Sequence, residues 1–210
     1  MRRHRFLLQL DVRKYFPSIS HVRLLEVLER RIADPRVLEL FRVILGADDG
    51  LYLRPEVLEH LADPQYLGVK GTGLPIGTLT SQFFGNYFLN DLDHFIKRTL
   101  KVPGYVRYMD NLTCFGDSRS QLRKWGREIA QWLREERGLE LKSRRDALRS
   151  CRARVLYLGF ELTGDTRRPG PLVLHRLERT LRRFVESGRP ARRLADLERS
   201  LTSYRALLRF

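Results

Sequence analysis

Apolar positions recur along the chain at the spacings of strands and helices. A short apolar run over residues 6–11 predicts a strand that ends at Asp11. Helical spacing then predicts two helices, over about residues 21–32 and 35–46, and the second has a proline at its first position. After an irregular stretch rich in turn residues, a longer helical pattern covers about residues 79–100. The first half therefore predicts one strand and three helices.

The second half of the chain opens with a hairpin pattern at residues 105–116. Ser118 followed by Gln121 is a capping-box pattern that predicts a helix start, and Gly138 is placed to end that helix. The remaining patterns are strands at about residues 155–162 and 171–174 and two basic helices within about 175–209, divided near residues 188–190. This order of elements predicts an α+β fold, a mostly antiparallel sheet with helices packed on one face.

The net charge of the chain indicates a polyanionic partner. The 210 residues carry a formal net charge of +15, and the isoelectric point is about 10.5. The excess is uneven, because residues 141–210 hold 18 Lys and Arg against 7 Asp and Glu. A basic last third favours nucleic acid as the partner. A general surface charge that keeps the protein in solution is the alternative that composition leaves open.

The cysteines and the apolar runs exclude several classes of protein. Cys114 and Cys151 form no CxxC pair, so the sequence indicates neither a disulfide framework nor a zinc site. Cys114 lies in an apolar strand pattern and is expected to be a small core residue. No apolar run reaches the roughly 18 residues that a membrane span needs. We therefore expect a cytoplasmic protein that makes no membrane contact.

Two carboxylates at predicted strand ends are the first candidates for chemistry. Asp11 closes the first strand, and Asp110 lies with Asn111 at the tip of the hairpin pattern. If the sheet brings these tips together, their oxygens offer the ligands that hard divalent cations prefer. Taken singly, each residue is better explained as structural, because Asp and Asn are common in hairpin turns and Asp11 simply ends a strand. The neighbouring residues favour the chemical interpretation.

Five short segments in a fixed order carry a resemblance to a known family. They are residues 11–19, residues 73–82 with the helix that follows, residues 108–111, residues 139–145 and residues 156–160. They resemble motifs A to E of bacterial reverse transcriptases of the group II intron, retron and diversity-generating retroelement type. The resemblance implies an RNA-directed DNA polymerase with a palm over residues 1–165 and a partial helical thumb over residues 166–210.

The resemblance implies a metal site and a catalytic lysine. Asp11 and Asp110 would bind two Mg²⁺ ions, for which Mn²⁺ is a substitute. The carbonyl of Val12 and the amide of Asn111 would supply further oxygen ligands. Lys142 would protonate the leaving pyrophosphate, so Asp11, Asp110 and Lys142 are the catalytic residues that the resemblance implies.

The resemblance also implies positions that bind nucleotide and nucleic acid. Phe16 would pack under the sugar and exclude a 2′-hydroxyl, which favours deoxynucleoside triphosphates, and Gly77 would let the backbone approach the nucleotide. The other implied nucleotide-binding positions are Val12, Tyr15, Ile76 and Gln82. An RNA template and a DNA or RNA primer would be held by Leu158, Gly159, Arg176, Arg179, Arg182 and Arg183.

Two departures from the family pattern change what the resemblance implies. The family ends motif C with two aspartates, whereas this chain has Asn111, whose amide offers an oxygen without charge. We expect this loss of one anion to weaken metal binding or catalysis. Motif A also begins almost at the first residue, and residues 1–5 cannot form a fingers subdomain. Three explanations stay open: a truncated reading frame with the fingers encoded upstream, a fragment completed by a partner chain, or a decayed copy.

Three functions are consistent with the sequence. The first is an RNA-directed DNA polymerase. The second is a non-catalytic nucleic-acid-binding remnant of a reverse transcriptase, which Asn111 and the missing fingers favour and which Asp11 and Asp110 oppose. The third is an RNA-directed RNA polymerase, which Phe16 opposes because that enzyme needs room for the ribose hydroxyl.

Overall fold

The chain forms two compact units that both combine helices with antiparallel strands. The computed structural model describes residues 3–47, 49–58, 69–143, 147–163, 166–186 and 202. One unit comprises residues 6–148, and the other comprises residues 1–5 and 149–210. The α+β prediction is confirmed. The predicted domain boundary at residue 165 stays a prediction.

The sheet of the larger unit is built around its third strand. β1 (Phe6–Asp11) pairs with β3 (Asn111–Gly116), and β3 pairs with β2 (Gly104–Tyr108), in antiparallel fashion throughout. The strand predicted at residues 6–11 and the predicted hairpin are therefore confirmed. A further short strand, β4 (Leu148–Ser150), begins at the last residue of this unit and was not predicted.

The described part of the larger unit contains seven α-helices. They are α1 (Tyr15–Ser18), α2 (His21–Glu29), α3 (Pro35–Ala47), α4 (Pro55–Leu58), α5 (Leu79–Phe88), α6 (Asn90–His94) and α7 (Arg119–Trp132), with a 3₁₀ turn at Leu51–Leu53. Side-chain oxygens of Ser20, Thr78 and Ser118 accept hydrogen bonds from backbone amides in the first turns of α2, α5 and α7. Each side-chain oxygen replaces the carbonyl acceptor that an amide in the first turn of a helix lacks.

One predicted helix end is confirmed, and one helix predicted as continuous is interrupted. A π-helical turn, Leu133–Arg137, extends α7 to Gly138, whose φ of 66° ends the segment as predicted. The continuous helix predicted over about residues 79–100 is wrong, because Leu89, with φ −100° and ψ 8°, separates α5 from α6. A second π-helical turn, Phe95–Thr99, follows α6. The guanidinium of Arg137 donates to the Phe88 carbonyl over 2.8 Å and so satisfies a backbone group at the break.

One apolar core lies between the helices and a single face of this sheet. Leu8, Leu112 and Cys114 contribute to it from the strands, and Phe84, Phe88 and Leu92 contribute from the helices. Burial raises the pKa of the Cys114 thiol to about 12, so Cys114 is the inert core residue that was expected. Side chains alternate along a strand, so Asp11 lies on the face of β1 opposite to that of Leu8.

The smaller unit contains a three-stranded antiparallel sheet and one described helix. Its strands are β5 (Val155–Tyr157), β6 (Phe160–Thr163) and β7 (Thr166–Pro169), in that order. The pattern at residues 155–162 is a hairpin, because Tyr157 pairs with Phe160 across a turn of Leu158 and Gly159. Their φ values of 48° and 85° are both positive, as a type I′ turn requires.

The strand predicted at residues 171–174 is wrong. These residues form the first turn of α8 (Pro171–Glu186), where the Gly170 carbonyl accepts hydrogen bonds from the amides of Val173 and Leu174. A short apolar run fits either a helix or a strand, and the proline suits the first helical position. The second predicted basic helix lies outside the described residues apart from residue 202. Among the described helices, none has the length and hydropathy required to span a membrane.

Candidate active site

The register of β1 and β3 brings the acidic candidates to one edge of the sheet. Asp11 is directly opposite Asn111, the residue that follows Asp110. The amide of Val12 donates a hydrogen bond of 3.2 Å to the Asp110 carbonyl, which ties the end of β1 to the β2–β3 turn. Asp11, Val12, Asp110 and Asn111 therefore form one cluster, called here the edge site.

The β2–β3 turn consists of Met109 and Asp110, because Tyr108 pairs with Asn111. The expectation that Asn111 belongs to the turn is wrong, since it is the first residue of β3. Met109 instead takes the left-handed conformation, with φ 53°, which costs a residue with a side chain about 1–2 kcal/mol. Strain of this kind is often retained at functional sites.

Lys142 neutralises part of the charge at the edge site. Its backbone amide donates to the Asp11 carbonyl over 2.8 Å, and its Nζ lies 2.8 Å from Asp11 Oδ1. The Asp11 side chain is only 6% exposed, whereas that of Lys142 is 44% exposed. A buried carboxylate needs a nearby cation, and Lys142 provides one. Lys142 therefore lies against the carboxylate that is proposed to bind metal.

Asp110 is in an electrostatic environment that disfavours its charged form. Burial raises the pKa of the Asp110 carboxyl, and the charge of Asp11 raises it further. Lys142 and a hydrogen bond of 3.2 Å from Asn111 Nδ2 to Asp110 Oδ1 act in the opposite direction. The two carboxylates are thus close enough to repel each other, and a bound cation would relieve that repulsion.

The donor set of the edge site suits a hard divalent cation. Two carboxylates, a backbone carbonyl and an amide offer the oxygen ligands that Mg²⁺ and Mn²⁺ prefer. Within the described residues there is no group of three or more His, Cys, Asp or Glu side chains that could hold a metal ion. A metal at the edge site would therefore have two charged ligands, Asp11 and Asp110, and neutral ligands otherwise, and metal binding there stays a prediction.

A loop from the middle of the chain is hydrogen-bonded to the segment that follows β1. The amides of Gly73 and Leu74 donate to the carbonyls of Ile19 and Phe16, each over 2.9 Å. In the other direction, the His21 amide donates to the Gly71 carbonyl over 2.9 Å. His21 Nε2 also lies within hydrogen-bond distance, 2.7 Å, of the Gly73 carbonyl. The loop at residues 71–74 is therefore fixed relative to Phe16. No sequence pattern indicated that His21 takes part.

Helix α5 holds the Tyr15–Phe16 pair through a glycine. The Tyr15 hydroxyl donates to the Gly85 carbonyl, and the two aromatic rings meet edge to face with centroids 5.5 Å apart. A Cβ at Gly85 would lie 3.1 Å from Phe16 Cε1 and 3.3 Å from Tyr15 Cε1. Gly85 was not among the predicted site residues. A glycine inside a predicted helix is unfavourable, and that is the signal that could have found it.

The other predicted nucleotide-binding residues lie at the surface before and within α5. Ile76 is 68% exposed, and Gln82 is also exposed. Gly77 has φ 101°, and a Cβ there would meet no atom within 4 Å. The positive φ, and not a lack of space for a side chain, therefore explains why residue 77 is a glycine. Nucleotide binding by Ile76, Gly77 and Gln82 stays a prediction.

The predicted nucleic-acid-binding residues belong to the smaller unit. The Gly159 carbonyl accepts a hydrogen bond of 2.7 Å from the Gly170 amide, and a Cβ at Gly159 would lie 3.2 Å from Val173 Cγ2. The β5–β6 turn, which includes Leu158, is thus packed against the start of α8. The exposed arginines of α8 are Arg176, Arg179, Arg182 and Arg183. Their contact with nucleic acid stays a prediction.

Comparison with known proteins gives an independent result. Residues 1–162 match the sequence profile of a family described as reverse transcriptase (RNA-dependent DNA polymerase). The match covers more than half of the chain and includes the edge site, Lys142 and the β5–β6 turn. A comparison with curated proteins found no match.

Proposed function

The chain belongs to the reverse transcriptase (RNA-dependent DNA polymerase) family, and we propose that it extends a primer 3′-end with deoxynucleotides on an RNA template. Nucleotidyl transfer would use two Mg²⁺ ions, or Mn²⁺ in their place. The observation that supports this proposal most strongly is the β1–β3 register, which sets Asp11 opposite Asn111 and next to the β2–β3 turn. We further propose a cytoplasmic enzyme of the bacterial group II intron, retron or diversity-generating type.

Each residue of the edge site has a definite part in this proposal. Asp11, Asp110, the Val12 carbonyl and the Asn111 amide would hold the metal, which supplies positive charge to the reacting phosphates. Lys142 forms an ion pair with Asp11 Oδ1. Released from Asp11, its ammonium group would donate a proton to the leaving pyrophosphate. Phe16, held by Gly85 and Tyr15, would lie under the sugar and exclude ribonucleotides.

Primer extension tests this proposal directly. Wild-type protein, Asp11→Asn and Asp110→Asn would be compared on one RNA template with a DNA primer, with deoxynucleotides and then ribonucleotides. We expect Mg²⁺-dependent extension with deoxynucleotides in the wild type and none above background in either variant. Extension that persists in both variants would show that the edge site is not the catalytic centre.

A non-catalytic nucleic-acid-binding protein is the second candidate. Asn111 favours it, because the described residues offer no third charged ligand for a metal. The same assay separates the two candidates when template–primer binding is measured alongside it by fluorescence anisotropy. Binding without extension, in both Mg²⁺ and Mn²⁺, would support the second candidate and exclude the first.

A further inference from the structure

The side chain of Arg107, on β2, connects the β2–β3 turn to two helices. It is only 11% exposed. Arg107 is paired with Leu112 in the β2–β3 register, so it lies on the sheet face that carries the apolar core. A buried guanidinium has five N–H donors that need acceptors. The acceptors it uses therefore show what Arg107 holds in place.

All five donors of Arg107 are directed to acceptors. Nε donates to Asp93 Oδ1 over 2.8 Å, and Nη2 donates to Asp93 Oδ2 over 2.6 Å. Nη2 also donates to the Asn86 carbonyl, and Nη1 donates to Asn86 Oδ1, each over 3.3 Å. The last donor, on Nη1, reaches the Met109 carbonyl over 3.2 Å. One side chain thus joins α5, α6 and the turn.

Asp93 is held by a second residue of β2 as well as by Arg107. The Tyr105 hydroxyl donates to Asp93 Oδ1 over 2.8 Å. Asp93 therefore accepts three hydrogen bonds, two from Arg107 and one from Tyr105. A paired carboxylate of this kind holds the guanidinium in a single orientation.

The carbonyl that Arg107 binds belongs to the strained residue of the turn. Met109 has φ 53° and directly precedes Asp110 in a turn of two residues. A rotation of the Met109–Asp110 peptide would move the Asp110 carboxylate relative to Asp11. The hydrogen bond from Arg107 to the Met109 carbonyl opposes that rotation. It therefore holds the position of Asp110, which is the next residue of the turn and part of the edge site.

We propose that Arg107 is a positioning residue that holds Asp110 in place for metal binding by tying the Met109 carbonyl to Asn86 and Asp93. The inference rests on the proposed function, because it concerns the same edge site. Arg107 touches neither metal nor nucleotide in this proposal and acts only through the turn.

A purely structural ion pair is the competing explanation, and the chain contains a matched control for it. Arg137 is buried, with its side chain 2% exposed, and its Nη2 lies 2.7 Å from Asp91 Oδ2. It also donates to a backbone carbonyl, that of Phe88. Arg137 differs from Arg107 in that none of its hydrogen bonds reaches the β2–β3 turn. Substitution of either arginine disturbs a comparable ion pair, but only substitution of Arg107 removes the hydrogen bond to the Met109 carbonyl.

The test compares Arg107→Lys with Arg137→Lys in the full chain. Lysine keeps the charge but cannot direct five donors to fixed acceptors. The readouts are the Mn²⁺ dissociation constant by electron paramagnetic resonance, the melting temperature, and kcat and KM for deoxynucleotide. For Arg107→Lys we expect the Mn²⁺ dissociation constant to rise about 10- to 100-fold, with a lower kcat. For Arg137→Lys we expect a lower melting temperature and wild-type Mn²⁺ binding.

A milder variant keeps the test decisive if Arg107→Lys does not fold. Asn86→Ala removes one acceptor on an exposed side chain and leaves the Asp93 pair intact, and we expect a smaller rise in the same dissociation constant. Wild-type Mn²⁺ binding in every folded variant would overturn the inference while leaving the proposed function standing. Failure of the wild type to bind Mn²⁺ more tightly than a double Asp11→Asn, Asp110→Asn variant would overturn both.

Discussion

Asn111 sets the amount of negative charge at the edge site. It stands opposite Asp11 in the strand register and donates a hydrogen bond to the carboxylate of Asp110. The amide of Asn111 carries no negative charge, but its hydrogen bond stabilises the charged form of Asp110. The hydrogen bond from Asn111 therefore lowers the cost of holding two carboxylates close together.

Asn111→Asp exchanges that hydrogen bond for a third anion. We expect Mn²⁺ to bind roughly tenfold more tightly, because affinity rises with the number of charged ligands, and the metal-free protein to melt at a lower temperature. Paramagnetic resonance titration and thermal denaturation with a chelator measure the two effects. Asn90→Asp, which adds the same charge on α6, is the control. An unchanged dissociation constant in Asn111→Asp would place residue 111 away from the metal.

Left-handed residues with side chains concentrate in the motif segments. Four residues other than glycine have positive φ among those described, and three of them are Lys14, Met109 and Leu158. These three lie in the first, third and fifth of the segments that carry the family resemblance. Leu158 is also 45% exposed, so burial of its side chain does not explain why it is kept in the strained position. A contact with a ligand would explain it.

Leu158→Asn tests the turn conformation and the contact with a ligand separately. Asparagine followed by glycine is the preferred pair for a type I′ turn, so we expect the free energy of unfolding to rise by about 1 kcal/mol. If the leucine side chain touches nucleic acid, template–primer binding will weaken in the same variant. Urea denaturation and anisotropy measure the two quantities. A loss of stability would contradict the assigned turn conformation.

At this scale the sequence identified some site residues and missed others for a physical reason. Asp11 and Asp110 stand at strand ends, which a local pattern reveals. The roles of Gly85 and Arg107 depend on contacts with residues distant in sequence, Phe16 and Asp93, so a local pattern cannot reveal them. Arg107 was visible only as a polar residue in a strand pattern.

Among the elements, α5 carries the most information about function. Its N-cap Thr78 follows Gly77, which has φ 101°, and its interior Gly85 receives Tyr15 and Phe16. The conformation before the cap sets the direction in which the helix leaves the loop at residues 71–74. Strain introduced there should therefore affect the whole helix.

Gly77→Ala and Gly46→Ala form a matched pair that tests the effect of backbone strain before α5. A Cβ at either position would meet nothing within 4 Å, so only the backbone conformation differs. We expect Gly77→Ala to lower the free energy of unfolding by about 1–2 kcal/mol, because φ is positive there. Gly46→Ala, within α3, should raise it by up to about 1 kcal/mol. Chemical denaturation measures both, and equal signs would contradict the assignment.

Element boundaries were predictable where a capping signal exists and unpredictable where tertiary contacts decide. Ser118 and Gly138 bound α7 and its π-helical extension as the sequence predicts. The break after α5 has no such signal, because the buried side chain of Arg137, distant in sequence, supplies the hydrogen-bond partner of the Phe88 carbonyl. The apolar run at residues 171–174 is too short for its period to separate helix from strand.

At the scale of the whole molecule, charge distribution is the feature that bears on function. The smaller unit contains most of the basic residues of the last third of the chain, and four of them are exposed on α8. Composition predicted a polyanionic partner from this excess. A helix that presents arginines to solvent is consistent with phosphate contacts, which depend on salt in a measurable way.

Arg179→Gln and Arg123→Gln test whether position or total charge matters. Each removes one positive charge from an exposed helical position, on α8 and α7 respectively. We expect only Arg179→Gln to reduce the slope of log binding constant against log salt, by about 0.7–0.9 for one phosphate contact. Anisotropy titrations from low to moderate salt measure the slope. Equal slopes in both variants would mean that charge acts without a defined contact.

The loop at residues 71–74 has no regular secondary structure, yet the amides of Gly73 and Leu74 are bonded to carbonyls near α1. In heavy water these two amides should keep their protons far longer than other loop amides. Exchange there requires the segment around Phe16 to separate from the loop. Deuterium uptake at Gly73 and Leu74 would therefore report how often the segment around Phe16 separates from the loop, without any substrate present.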